Sequence, residues 1–307
     1  MANKSDVKTP FHSPFRIPVA LVALFALTGE ISPGLFSQER VAGADKGRAL
    51  VGARIYTQPS AAPIVDGTIL IANGKISFVG PKAAAKIPAG FDVIDCTGRT
   101  IVAGFWNNHV HFTEPKWAAA ATLPAAQLTT QLQQMLTRFG FTSVVDTGSD
   151  ARSTLAVRNR INSGEIAGPR ILTAGSPLYP QNGIPYYVEE SAPPEILKVL
   201  AQPATPAEAA RVVEKQIADG ADLVKLFVVS WVRRDGRIQP LPMELPVIQA
   251  AVQAAHRKGK LVFAHPSTVA GVDLILKGGV DVLAHTTEDP ARWNDAVVGR
   301  LKAANAS

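Results

Sequence analysis

The stretch Ile101-Val102-Ala103-Gly104-Phe105-Trp106-Asn107-Asn108-His109-Val110-His111 divides the chain into two regimes. It reads as one strand, and its two histidines stand two positions apart, so both project from the same face. Upstream, short β segments are expected at residues 49–56, 67–72, 76–79 and 91–94, with no helix of useful length among them. Asn73-Gly74, set between two apolar runs, is a hairpin signal. These segments predict a small β layer, part of a sandwich, over residues 45–100.

Downstream, strands alternate with helices. Further strands are expected at 142–146, 170–173, 223–228, 261–265 and 280–285. Helices are expected at 125–139, 151–163, 206–218, 245–258, 267–277 and 292–303. Such alternation predicts an α/β fold with a parallel sheet, either a (β/α)8 TIM-type barrel or a doubly wound sheet. Residues 101–307 hold about six β/α units where a closed barrel has eight, so the expected barrel is incomplete. No Gly-x-Gly-x-x-Gly follows a strand, which leaves a doubly wound nucleotide-binding fold without support.

Composition narrows the function classes. The 307 residues are 47% hydrophobic and 18% charged, enough to bury a full core without disulfides or a structural metal. The 24 Gly and 23 Pro follow no period, which excludes collagen and low-complexity disorder. The 31 basic and 25 acidic residues give +6, but the excess is scattered, so nucleic acid is not an expected partner. Cys96 is the only cysteine, which excludes a disulfide scaffold and a Cys-built zinc site.

The N-terminus reads as an export signal over residues 1–44. Lys4, Lys8 and Arg16 precede an apolar run over residues 17–27, which is short of the ~20 residues that span a bilayer. Ala42-Gly43-Ala44 fits a cleavage site; an uncleaved anchor is the alternative. Its removal leaves 27 basic against 22 acidic residues, a net +5. The expected location is periplasmic or secreted, with membrane contact only through the signal.

The histidines carry the chemistry. His109 and His111 close the first barrel strand, His265 closes the strand over 261–265, and His285 closes the strand over 280–285. Four imidazoles thus gather at the C-terminal ends of three strands of one parallel sheet, the edge where such folds place active sites. Neutral imidazoles there suit a borderline-soft divalent ion such as zinc. His12 lies in the signal and His256 in the last turn of a helix, so neither is a ligand candidate. Lys225, inside the apolar strand over 223–228, reads in two ways. Burial would lower its pKa and free an amine able to take up CO2 as a carbamate, an anionic ligand that bridges two metals. Alternatively its head snorkels to water. Residues 174–205, with six prolines and Tyr179, Tyr186 and Tyr187, read as a substrate lid or as a solvated insertion.

Val102-Ala103-Gly104-Phe105-Trp106-Asn107-Asn108-His109-Val110-His111 resembles the first-strand motif of the amidohydrolase superfamily. Asp95-Cys96-Thr97-Gly98-Arg99-Thr100 is similar to that family's lead-in from its β-sandwich. The resemblance covers roughly residues 49–303 and is nearest to the imidazolonepropionase-like and Xaa-Pro-dipeptidase-like branch. It places Lys225 where binuclear members carry a carboxylated lysine, and His265 and His285 at the histidines of strands five and six. The family motif has Pro and Asp where this chain has Ala103 and Asn107. Strands seven and eight, the latter bearing the family's metal-binding, proton-handling aspartate, have no counterpart, so the resemblance implies a C-terminally truncated enzyme.

What it implies is hydrolysis of a C–N bond in an amide, cyclic amide or dipeptide by a metal-activated water. His109 and His111 would hold one ion and His265 and His285 a second, with carboxylated Lys225 between them. A single ion on His109, His111 and His285 is the close variant. Zinc is the first choice of divalent metal, at one or two per chain. The other class of reading is a truncated, non-catalytic relative that keeps metal binding. An open barrel edge would favour homo-oligomers.

Overall fold

The computed structural model describes residues 47–289 and 293–304. The export signal expected over residues 1–44 lies outside the described residues. Among those described, no helix is long and apolar enough to cross a membrane.

The first five strands are β1 (Arg48–Ile55), β2 (Ile64–Ala72), β3 (Lys75–Pro81), β4 (Asp92–Asp95) and β5 (Thr100–Ile101). They form one sheet in the order β3-β2-β1-β4, with β5 also on β1. Strand β1 alternates strictly, burying Ala49, Val51, Ala53 and Ile55, the pattern of a strand with one covered face. The β2–β3 turn is the one the sequence signals: Asn73 and Gly74 have φ of 52° and 69°, the left-handed pair a two-residue hairpin requires. Val65, Ile76 and Val93 of this sheet are exposed. Among the described residues these strands make a single layer of the expected sandwich.

The long strand expected over 101–111 is two strands. Ile101 stays with β1, and β6 (Phe105–Val110) starts a different sheet. Gly104 lies in the break and packs closely: a Cβ there would stand 2.1 Å from the Thr142 hydroxyl oxygen.

The second regime runs α1 (Ala125–Met135), β7 (Phe141–Asp146), α2 (Ala151–Asn162), β8 (Arg170–Thr173), α3 (Tyr186–Ser191), α4 (Pro194–Leu197), α5 (Pro206–Ala218) and β9 (Val224–Phe227). It continues through β10 (Val229–Arg234), β11 (Arg237–Pro242), α6 (Leu245–Arg257), β12 (Val262–His265), α7 (Val269–Gly278), β13 (Val282–Leu283) and α8 (Asp295–Ala303). Strands β6, β7 and β8 pair in parallel, and so do β9, β12 and β13. The two sheets are linked where Asp222 N–H donates to Thr173 O at 2.8 Å and Leu178 bridges Leu226.

Strands β7, β9 and β12 are buried along most of their length on both faces, as strands covered on two sides are, whereas β6 leaves Phe105, Trp106 and Asn108 exposed. Val224, Leu226, Val262 and Ala264 pack towards the helices, with Ile248, Ala251, Val252 and Ala255 of α6, whose spacing makes one stripe. Alternate residues Val145, Leu172, Leu223, Phe263 and Val282 share a cluster that draws on both sheets. Each fully buried aliphatic side chain contributes about 1.5–3 kcal/mol. Hairpin β10–β11 was not expected from the sequence. Its turn, Asp235-Gly236, is a hairpin signal with φ of 50° and 72°, but Arg233, Arg234, Arg237 and Pro240 obscure the apolar alternation on either side.

Gly271, in the first turn of α7, is fixed by packing: a Cβ would stand 1.9 Å from Pro266 O, a backbone atom. Gly271→Ala should therefore cost about 1–3 kcal/mol in urea unfolding. Gly299→Ala in α8, where a Cβ meets nothing within 4 Å, should be neutral or stabilise by up to about 1 kcal/mol. Equal effects at the two sites would contradict this packing.

Candidate metal centre

Four histidines and one lysine reach a common place from four strands. His109 is in β6 and His111 follows it; Lys225 is in β9, His265 ends β12, and His285 lies two residues past β13. The register of β9 and β12 pairs Phe263 with Lys225 and His265 with Phe227, so Lys225 and His265 rise from the face opposite the helices. Ring centroids are 5.0 Å apart for His109 and His111, 5.4 Å for His109 and His285, and 4.3 Å for His265 and His285.

The hydrogen bonds assign the tautomers. His109 Nδ1 lies 3.1 Å from Ala284 O, His111 Nδ1 2.7 Å from Gly148 O, and His285 Nδ1 2.9 Å from Thr286 O. A carbonyl oxygen only accepts, so each Nδ1 must carry the proton. In the neutral ring the lone pair then belongs to Nε2. His109 Nε2 and His111 Nε2 stand 3.1 Å apart, which places two lone pairs face to face. A cation between them relieves that opposition. The separation is close to the ~3.3 Å between two nitrogens on one tetrahedral zinc with Zn–N bonds of about 2.0–2.1 Å. Pinning of Nδ1 by a backbone carbonyl is also how metal-binding histidines are commonly oriented. The donor set therefore fits a divalent ion, although among the described residues no three His, Cys, Asp or Glu donors are already closed around one point.

Electrostatics favour neutral ligands. Burial holds the His109 imidazole down to about 4, against the opposing pull of the Ala284 carbonyl. Burial likewise lowers His285 and, more strongly, His265. Lys225 is 2% exposed, so its head does not snorkel to water. Burial alone brings its ammonium down to about 7. Its Nζ lies 5.7 Å from the Phe227 ring centroid, and Phe227 in turn stacks on His265 with centroids 4.4 Å apart.

The proline-rich segment over 174–205 is docked rather than a loose insertion. Leu178 N–H donates to Lys225 O at 2.9 Å, and Phe227 N–H donates to Leu178 O at 2.8 Å. Tyr179, expected to contact substrate, is 4% exposed and packs against Phe227 with centroids 4.7 Å apart. Its backbone N–H donates to Ala201 O at 2.8 Å. Tyr187 is 40% exposed, edge-on to Tyr186; burial, then Glu288, pushes its phenol up to about 12. Arg233 of the hairpin lies over Tyr186 and pairs with Glu190 at 2.9 Å. His256, outside the cluster as expected, pairs with Asp281 at 2.9 Å.

Sequence reasoning passed over Asp146, a buried carboxylate at the end of β7. Burial raises its pKa, opposed by bonds from Ser149, Thr173 and Gly148. The signal that could have found it is the spacing of Asp146, Ser149 and Thr173 at adjacent strand ends, which becomes legible once the register of β7 and β8 is known.

No protein-family model matches the chain. A protein of Bifidobacterium longum provisionally assigned as a prolidase aligns with a TM-score of 0.64 and 27% identity, over 84% of this chain and 57% of that one. Molinate hydrolase aligns with a TM-score of 0.68 and 19% identity, over 85% of this chain and 62% of that one. These relatives belong to the amidohydrolase superfamily. The chain has the amidohydrolase fold. Among curated sequences, the adenine deaminase of Paracoccus denitrificans (strain Pd 1222) is 27% identical over 106 residues, 32% of this chain and 18% of that protein. The chain thus spans about three-fifths of the solved amidohydrolases named here and a smaller share of the deaminase.

Burial of the Lys225 amine carries a stability cost. Lys225→Met, close in shape and without the buried amine, should stabilise the metal-free protein by about 1–3 kcal/mol. Urea unfolding at neutral pH measures this, and a loss of stability would mean that the amine holds the fold together.

Proposed function

We propose that this chain is the metal-binding part of a hydrolase that cleaves the C–N bond of an amide, cyclic amide or dipeptide. The observation that carries the reading is the pair of Nδ1 contacts to Ala284 and Gly148, which leaves bare Nε2 atoms of His109 and His111 facing each other at 3.1 Å, with the His285 ring 5.4 Å from that of His109. The named neighbours, a provisional prolidase and molinate hydrolase, support the C–N hydrolase class.

In this reading His109 and His111 would hold one divalent ion and His265 and His285 a second. Lys225 would supply a further donor as a carbamate, its neutral amine adding to CO2 with formation of an N–C bond and release of one proton to solvent. Zinc is the first choice for imidazole and carbamate donors. When bound, such ions supply a water deprotonated near neutral pH and a Lewis acid for the carbonyl. The chain's own residues keep Lys225 and His265 buried. Phe227 stacks on His265, Tyr179 covers Phe227, and the carbonyls of Gly148, Ala284 and Thr286 keep each Nδ1 protonated. Tyr186 and Tyr187 stand at the docked segment as substrate contacts. The export signal and a periplasmic or secreted location belong to the same proposal.

A second reading is a non-catalytic relative that binds metal without turnover. It is favoured by the ligand set: among the described residues no three His, Cys, Asp or Glu side chains form a group that could hold a metal ion, which is short of what turnover would need. Elemental analysis with a panel of dipeptides and cyclic amides separates the two. The expected result is two zinc per chain, one in Lys225→Ala, at most one in the double substitution His109→Ala with His111→Ala, and hydrolysis that follows metal content. Metal without turnover would establish the second reading. A folded chain that takes up no metal would overturn both.

A further inference from the structure

Asp146 is completely buried and lies at the centre of a knot that ties three strand ends together. Its Oδ1 accepts from Gly148 N–H at 3.1 Å and from the Ser149 hydroxyl at 2.7 Å. Its Oδ2 accepts from the Thr173 hydroxyl at 2.8 Å, as the pairing of Asp146 with Thr173 across β7 and β8 allows. Each hydroxyl is itself fixed by a backbone donor. Ser149 Oγ accepts from Phe112 N–H at 2.7 Å, and Thr173 Oγ1 accepts from Gly175 N–H at 2.9 Å. Phe112 follows β6, Ser149 follows β7 and Gly175 follows β8.

The knot converges on one peptide plane, Gly148–Ser149. Its N–H end, Ser149 N, donates to Gly175 O at 3.1 Å. A trans peptide is planar, so holding the N–H sets the direction of the C=O. That carbonyl, Gly148 O, takes the His111 Nδ1 proton at 2.7 Å, at the short end of the N–H···O range. No side chain fits at Gly148, since a Cβ would stand 2.7 Å from Pro177. An ionised carboxylate only accepts, which suits a site whose three neighbours all donate. An amide there would turn two N–H donors towards one of them.

We propose that Asp146 is a positioning residue for His111. Through Ser149, Thr173 and Gly175 it fixes the Gly148 carbonyl, which selects the Nδ1–H tautomer and aims Nε2 at His109. The consequence for zinc rests on the metal reading above, whereas the tautomer itself does not.

The test uses the full chain with 15N-labelled histidine, free of metal, as the parent, Asp146→Asn, Ser149→Ala, Thr173→Val and Ser149→Thr. Two-bond 15N–1H spectra read each ring's tautomer, thermal melts report folding, and zinc affinity is measured alongside. The parent should show His111 protonated at Nδ1. Ser149→Ala and Thr173→Val each remove one partner and should fold even if Asp146→Asn does not. In every folded variant that lacks a partner the His111 spectrum should become a mixture of tautomers, with zinc affinity lower on the order of 10–100-fold. Ser149→Thr, which keeps the hydroxyl, should restore both. A lowered melting temperature with the His111 tautomer unchanged would overturn the proposal, leaving the knot a purely structural feature. If the parent binds no zinc but the tautomer still responds, the metal reading fails and the positioning role stands. If the parent binds zinc and the tautomer never responds, the reverse holds.

Discussion

A carbonyl oxygen accepts hydrogen bonds and cannot donate them, and His109, His111 and His285 each present Nδ1 to one. That constraint settles which nitrogen carries the proton and which is bare. It also makes the backbone the orienting group: Ala284 and Thr286 belong to the segment leaving β13, and Gly148 to the turn after β7. The imidazoles are therefore held by strand ends on both flanks of the site. The parallel sheets bring the Ala284 and Gly148 carbonyls within about 3 Å of the His109 and His111 rings.

Lys225 adds a second constraint. Its neighbours are Phe227, Phe263 and the docked Leu178 backbone, and burial favours the neutral amine. A group that is unfavourable as a buried cation is, as a neutral amine, able to add to CO2, and in the proposed centre it would then face the imidazoles as an anion. Stability and chemistry pull in opposite directions at this position, as is common where a site is built for function.

The residues named from sequence alone do meet. His109, His111, Lys225, His265 and His285 were legible because strand periodicity fixes which face a side chain takes, and parallel strands share one C-terminal edge. Strand and helix positions followed for the same reason, with α5 running over Pro206–Ala218 as its apolar spacing and Thr205 cap imply. What was not legible depends on backbone orientation or on register. The Gly148 carbonyl bears no residue signature, and Asp146 gains its meaning only from partners on neighbouring strands. That Tyr179 packs onto Phe227 depends on the parallel bridge through Leu178, which no residue pattern announces. Hairpin β10–β11 escaped because arginines and a proline interrupt its alternation.

The central claim is that bare Nε2 atoms at the strand ends bind one or two divalent ions. Zinc K-edge X-ray absorption on the loaded, purified chain tests it most directly, because imidazole scattering identifies the ligand. The account predicts a shell of nitrogen and oxygen at about 2.0–2.1 Å with at least two imidazoles per zinc, and loss of that imidazole signal when His109 and His111 are replaced. A zinc shell with no imidazole contribution, or one unchanged by those replacements, would contradict it.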